Sequence, residues 1–359
     1  MNALARHIAR LIQMQGPLSI AQYMAITLHH PAHGYYSARQ PIGAAGDFIT
    51  APEISQMFGE LLGAWIVQTW RDQGSPSPAR LVELGPGRGT FMADVLRATN
   101  LDPKFLRSIE LVLIETSATL REAQTEKLKT APVAVRWTQR FDDSMADRPL
   151  FLLANEFFDA LPIRQYVFTA RGWCERMVGI DSTDALAFVL SPVAVAHEVP
   201  AKRATPELGD IYEICRTGEG LVEQVATIIA QQGGAALIVD YGYEATAGFK
   251  ESLQAVAKHS FAGVLDSPGE ADLSAHVDFA SLSASAMRVG AKTYGPTAQG
   301  AFLKKLGIDI RADQLSRSHP HQASNIAAGL ERLTSPEQMG QLFKALAIVP
   351  PSAPLPPGF

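Results

Sequence analysis

Cysteine is almost absent. Cys174 and Cys215 are the only thiols in 359 residues, with no CxxC pair and no His/Cys cluster at metal-ligand spacing, so neither a disulfide framework nor a metal site is expected, and a reducing compartment is. No apolar run approaches the roughly 20 residues that cross a bilayer, and the N-terminus has no continuous signal-peptide core, so no membrane insertion is expected. Positive charge is not in excess: the net charge of −5 argues against nucleic acid as a partner. Acidic residues are missing before position 47 while Arg6, Arg10 and Arg39 are present, which resembles an organelle transit peptide. Leu4, Ile8, Leu11 and Ile12 at helical spacing, then Gly16-Pro17-Leu18-Ser19 ahead of a second helical pattern over residues 20–28, argue instead for a folded helical hairpin. No Gly-x-Ser-x-Gly elbow, Walker loop or His-Glu-x-x-His occurs, so hydrolase, NTPase and metalloprotease readings lose their usual support.

What is present is concentrated in Ala79-Arg80-Leu81-Val82-Glu83-Leu84-Gly85-Pro86-Gly87-Arg88-Gly89-Thr90, an apolar strand with an acidic residue near its end that runs into three spaced glycines. Gly85 and Gly87 can take backbone angles closed to other residues and bring the main chain against a ligand, and a helix starting near Thr90 aims free amides at it. A dinucleotide fingerprint places its third glycine three positions after the second. Here Gly89 follows after two, and Thr90 stands where that glycine belongs. Glu83, two positions before the first glycine, favours a cationic ligand such as S-adenosylmethionine, whose amino and sulfonium groups are positive. A glycine turn that only joins strand to helix is the structural alternative.

The surrounding pattern predicts a doubly wound, Rossmann-like α/β fold. A glycine- and aromatic-rich loop over residues 33–48 precedes a long amphipathic helix over 52–73, where Phe58, Leu61, Leu62, Trp65, Ile66 and Trp70 share one stripe. Strands at 80–84, 110–115, 133–137 and 150–155 alternate with helices at 90–98 and 117–129, the rhythm of a mostly parallel sheet covered on both faces. Residues 165–169 and 173–180 flank Ala170-Arg171-Gly172 as a β-hairpin insertion. A helix at 219–231, a strand at 235–240, a helix at 276–288 and a closing pair of helices lead to the apolar run at 343–349. The expected organisation is an N-terminal helical cap and lid (1–78), the first part of the cofactor-binding core (79–162), a β-rich insertion (163–217), the second part of the core with substrate-side helices (218–349), and a proline-rich, extended or disordered tail (350–359).

In such a sheet the ligand lies across the carboxyl ends of the strands. Gly89 and Thr90 complete the loop that would cradle it. Glu115 closes the second strand where a ribose diol would be held, and with Ser117 it also fits the start of a helix. Phe141 and Asp142 offer an apolar face and a carboxylate to an adenine, or form a solvated turn. Asn155, at the tip of the fourth strand, would fix a polar group of cofactor or substrate, Glu156 would receive a cationic nucleophile, and Asp159 would be a second carboxylate; the alternative is a turn followed by a first-turn charge. A guanidinium is never free base near neutrality, so methylating it requires acceptors that hold the planar group and take up its proton. Asp47 and Glu53 belong to a segment that reads either as a lid or as a plain helix start, since Thr50 and Glu53 have capping-box spacing with Pro52 between them. Asp240-Tyr241-Gly242-Tyr243 borders the substrate side or packs, and Ser274 or Asp272 is expected to cap a helix containing His276.

Taken together, Gly46-Asp47-Phe48-Ile49-Thr50-Ala51-Pro52-Glu53-Ile54-Ser55 with Phe58-Gly59, Glu83-Leu84-Gly85-Pro86-Gly87-Arg88-Gly89-Thr90, Asn155-Glu156-Phe157-Phe158-Asp159-Ala160-Leu161-Pro162 and Asp272-Leu273-Ser274-Ala275-His276-Val277-Asp278-Phe279 resemble the MidA family. That family comprises class I S-adenosylmethionine-dependent methyltransferases, and its mitochondrial members assist respiratory complex I assembly by methylating an arginine of a core subunit. The resemblance, over residues 1–349, implies S-adenosylmethionine as cofactor, a protein substrate such as a complex I subunit, a cofactor-facing position for Glu83, Gly85, Gly87 and Glu115, and a lid role for the segment from Asp47 to Glu53. It leaves a homodimer open. Ala298 departs from the threonine the family leads one to expect. With no targeting extension ahead of the match, a bacterial, cytoplasmic relative is expected. Two rival readings stand beside it: a cofactor-binding assembly factor without turnover, and a methyltransferase acting on a small molecule or nucleic acid.

Overall fold

The computed structural model describes residues 1–38, 50–100, 102–195, 205–244, 251–257 and 260–359. Its central sheet is built from β1 (Ala79–Leu84), β2 (Ile109–Ile114), β3 (Val135–Thr138), β4 (Leu150–Asn155), β5 (Gly234–Tyr243), β6 (Lys292–Ala298) and β7 (Phe343–Val349), in the order β3-β2-β1-β4-β5-β7-β6. Strands β1 to β5 run parallel, while β7 is antiparallel to β5 and to β6. The short strand Val277–Asp278 extends the edge of β5.

β1, β4 and β7 are buried along their whole length, because helices cover both faces and successive side chains alternate between them. Leu81, Phe151, Leu153, Leu237 and Ala345 pack on one face with Phe58, Trp65, Ile66 and Phe91. Val82, Leu152, Ala154, Ile238 and Leu346 pack on the other with Val222, Ile229, Phe279 and Leu282. The N-terminal helices Ala3–Gln15 and Ile20–His29 form a separate core with Val178, Leu253 and Leu273. The predicted hairpin is present as Arg164–Thr169 and Gly172–Ile180, but it sits in a five-stranded sheet. Leu18–Ser19 joins that sheet antiparallel to Gly172–Ile180 and so ties the N-terminal hairpin to the insertion.

Several sequence expectations differ from the structure. The helix over 52–73 is two helices, Ala51–Ile54 and Gln56–Asp72, because Ser55 is extended (φ −158°) and caps the second through Met57 N–H. The helix expected at 276–288 begins at Phe279 and is capped by Asp278, which accepts from Ser281 N at 3.0 Å. Asp272 and Ser274 cap nothing there, since Asp272–Ser274 is a strand paired with Gln254–Ala257. His276 presents its ring to Tyr241 and donates its backbone N–H to Ser252 Oγ at 2.9 Å. The closing pair of helices before β7 is a run of four among the described residues: Gln299–Lys305, Ile308–Ser318, Ala323–Thr334 and Met339–Leu342. Ala298 is the N-cap of the first and supplies no side-chain bond to it. Residues 350–359 pack on the core: Trp65 Nε1 donates to Pro357 O at 3.0 Å, and the Phe359 ring lies 5.0 Å from that of Phe302.

Candidate cofactor and acceptor site

Strand order reverses beside β1, where β2 leaves to one side and β4 lies on the other, and the crevice at that point is where open α/β sheets bind ligands. The chain leaves β1 through Gly85, Gly87 and Gly89, all left-handed at φ 60°, 51° and 80°. A Cβ on Gly85 would stand 2.7 Å from Phe157 Cδ2, so a side chain at this position is excluded by contact as well as by backbone angle. Gly89 is the N-cap of Thr90–Thr99 and contributes no side chain to the first free amides of that helix. Thr90 Oγ1 donates to Glu53 Oε1 at 2.7 Å, and Thr50 makes no side-chain cap. The expected capping box is therefore absent, and Glu53 instead ties its helix to the glycine loop.

Glu115 follows β2 directly. Its Oε1 accepts from Ser117 N at 2.8 Å and its Oε2 from Gln124 Nε2 at 3.1 Å. Burial raises the Glu115 carboxyl above its ordinary range, against the pull of those hydrogen bonds. Ser117 caps Ala118–Lys127 through Leu120 N, which makes it a support of Glu115 rather than a wall of the crevice. Gln124, which sequence reasoning passed over, is fully buried and also donates to Gly87 O at 2.7 Å. Its place in a polar helix gave no signal. Phe141 faces the crevice, whereas Asp142 caps the turn Asp143–Met145 through Ser144 N at 3.0 Å and stands off the crevice wall.

At the tip of β4, Glu156 is left-handed (φ 49°) although it is not glycine. Its Oε1 accepts from Ala51 N at 2.8 Å and from Asn155 Nδ2 at 3.1 Å. Desolvation, reinforced by the charge of Asp159, pushes the Glu156 carboxyl up to about 7. Asp159 is pushed up to about 6 by burial, against a hydrogen bond from Tyr241. Asp47 lies outside the described residues.

Two cavities meet over Gly85, Gly87 and Glu156. The larger, of about 550 Å³, carries Glu115 and Phe141 with apolar walls from Leu84, Leu161 and Leu221. The smaller, of about 50 Å³, is bounded by Glu53, Glu83, Arg88, Thr90 and Asn155. Glu83 Oε2 and Asn155 Oδ1 are buried there without a hydrogen-bond partner among the described residues. Burial and the charge of Glu115 push Glu83 up to about 8. Unused buried acceptors are costly, and an ammonium would relieve these two. At the other end, Glu115 and the ring of Phe141 suit a ribose and an adenine. The donor set thus fits S-adenosylmethionine lying across the glycine loop.

This sheet order, the glycine loop after β1 and the acidic tip of β2 define a Rossmann-like, class I methyltransferase. Residues 61–297 match the family model described as "Putative S-adenosyl-L-methionine-dependent methyltransferase", and the chain belongs to that family, with S-adenosylmethionine as its cofactor. It is similar to the mitochondrial protein arginine methyltransferase NDUFAF7 of Rattus norvegicus, at 38% identity over 372 residues covering 96% of this chain and 84% of the relative. The Homo sapiens protein of the same name is 37% identical, covering 96% and 83%. A Burkholderia thailandensis crystal structure bound to S-adenosyl-homocysteine is similar at 29% identity and a TM-score of 0.85, covering 97% of this chain and 92% of that one.

Proposed function

We propose that the enzyme transfers a methyl group from S-adenosylmethionine to an arginine side chain of a protein. One observation carries the reading: Glu156, at the tip of β4, lines both cavities where they meet, and its carboxyl and that of Asp159, three residues on, have proton affinities raised toward neutrality. The names of the mitochondrial relatives support it. Bound S-adenosylmethionine supplies an electrophilic methyl on a sulfonium. The chain's own task is to hold the planar cation by charge-assisted hydrogen bonds, to localise its charge away from the attacking nitrogen, and to take the nitrogen's proton as the new N–C bond forms and the S–C bond breaks. Glu156 and Asp159 are the acceptors suited to that proton.

The finer reading, an arginine of a respiratory complex I subunit methylated in the cytoplasm, rests on the motif resemblance. The test is to incubate the purified protein with methyl-labelled S-adenosylmethionine and a lysate from a strain lacking it, then map labelled peptides by mass spectrometry. Label on arginine is expected. Label confined to nucleic acid or small molecules, or cofactor binding without any turnover, rejects the proposal.

A further inference from the structure

Asp240 lies near the end of β5, is fully buried, and pairs with no cation among the described residues. Its carboxylate is satisfied by backbone donors instead. Oδ2 accepts from Phe157 N at 3.1 Å, Phe158 N at 2.9 Å and Asp159 N at 3.3 Å, and Oδ1 accepts from Tyr241 N at 2.9 Å. Three successive amides converge on one oxygen as they do in an anion nest, and here the oxygen belongs to a side chain of the neighbouring strand.

The position of the nest matters. Ladder pairing of β4 with β5 ends at Asn155 opposite Val239, and Glu156 N then donates to Val239 O at 2.9 Å. Immediately beyond, Glu156 takes a left-handed backbone angle (φ 49°) that strains a non-glycine residue. Gathering the next three amides onto Asp240 offsets that strain and decides where two side chains go. Glu156 reaches Ala51 N at the junction of the cavities, and the Phe157 ring lies against Gly85. Burial, and after it the charges of Asp159 and Glu156, raise the proton affinity of Asp240 against the backbone hydrogen bonds it accepts.

We infer that Asp240 is a positioning residue for methyl transfer: its carboxylate holds residues 157–159 in the turn that presents Glu156 to the acceptor and sets Phe157 on the glycine loop. The inference rests on the arginine reading for the role of Glu156. Asp240 lines neither cavity, so its route to the reaction is through the turn.

Asp240→Asn is the decisive substitution, because it keeps size and shape while placing an NH₂ against backbone N–H donors whichever way the amide is turned. The expected result is a fall in kcat of about tenfold or more with the calorimetric Kd for S-adenosylmethionine changed by less than about threefold. Combined with Glu156→Gln, Asp240→Asn should cost less than about a further twofold, since a residue acting through Glu156 has nothing left to position. Losses that multiply in the double variant, or an unchanged kcat, overturn the inference. Hydrogen exchange on the wild-type protein provides a readout that needs neither activity nor a folded variant. The amides of residues 157–159 should be protected like those of β5, and rapid exchange there overturns the inference too. If the wild-type protein methylates no arginine, the function reading fails, and the hold of Asp240 on the turn is still decided by exchange and by cofactor affinity in Asp240→Asn.

Discussion

Gln124 Nε2 donates to Glu115 Oε2 at 3.1 Å while it also donates to Gly87 O, so a single side-chain amide ties the acidic tip of β2 to the glycine loop after β1. Trp137 Nε1, on β3, completes the set by donating to Gln124 Oε1 at 2.9 Å. Replacing Gln124 by leucine strands a carbonyl, a carboxylate oxygen and an indole N–H in the interior. The expected loss is about 2–4 kcal/mol of stability, with weaker cofactor binding. Urea unfolding and calorimetry check both, and an unmoved unfolding midpoint would contradict the role given to Gln124.

Glu83 should trade stability for binding. Its pKa in the folded protein, about 8, lies above the ordinary value of 4.5. The contribution of Glu83 to the free protein's stability is therefore fully present below about pH 4.5 and is lost progressively as pH rises through about 8. Glu83→Gln copies the protonated form and should stabilise the free protein at pH 7 by about 1–3 kcal/mol. The same change removes the carboxylate that would pair with the cofactor's ammonium, so affinity should fall. Wild-type binding near pH 7 releases a proton, visible as a buffer-dependent enthalpy, and Glu83→Gln abolishes it. Equal proton release in both proteins counts against the pairing.

Acceptor chemistry predicts the pH profile. A cationic acceptor needs ionised carboxylates, and those of Glu156 and Asp159 titrate at about 7 and about 6. Activity should climb between those values rather than level off above the ordinary carboxylate range. Glu156→Gln should lower kcat/KM by about a hundredfold and move the remaining acid limb down toward Asp159. An acid limb left where it was would show that another group controls it.

Gly85→Ala tests the closeness of loop and turn. The new methyl meets Phe157 Cδ2 at 2.7 Å on a left-handed backbone. Cofactor affinity should fall about tenfold or more. Adding Phe157→Ala relieves the contact but not the backbone angle, so it should restore part of the loss; full restoration would leave the angle without consequence.

Removing residues 355–359 should lower the melting temperature by about 3 °C or more, because Trp65 loses its acceptor at Pro357 and Phe302 loses the ring of Phe359. The affinity for S-adenosylmethionine should not change. Thermal scans with and without the cofactor separate the two effects.

Much of the parallel sheet was legible because strands covered on both faces read as short apolar runs, as in Leu81-Val82 and Leu150-Phe151-Leu152-Leu153-Ala154. β6 was not, since Lys292-Thr293-Tyr294-Gly295-Pro296-Thr297-Ala298 has no such run and sits at the sheet edge beside β7. Residues 276–288 looked like one helix because pairing of Val277 with Gly242 leaves no local mark. Among the site residues, acids at strand ends stood out. Gln124 did not, and Asp240 was legible only as part of a strand end that borders the substrate side or packs, since their partners are 37 and 83 residues away in Gly87 and Phe157.

By itself, the order of residues determined the parallel layers, the glycine turn after β1 and the supply of carboxylates at strand tips, because apolar runs, glycine and charge act over a few neighbouring positions. Tertiary structure decided how each polar group is spent. Ser117 and Asp142 close helical turns, Asp240 gathers three amides, and Glu83 and Asn155 keep unused acceptors toward the smaller cavity. A side chain's chemistry is local, but its hydrogen-bonding capacity is filled by whatever the folded chain brings within about 3 Å of it.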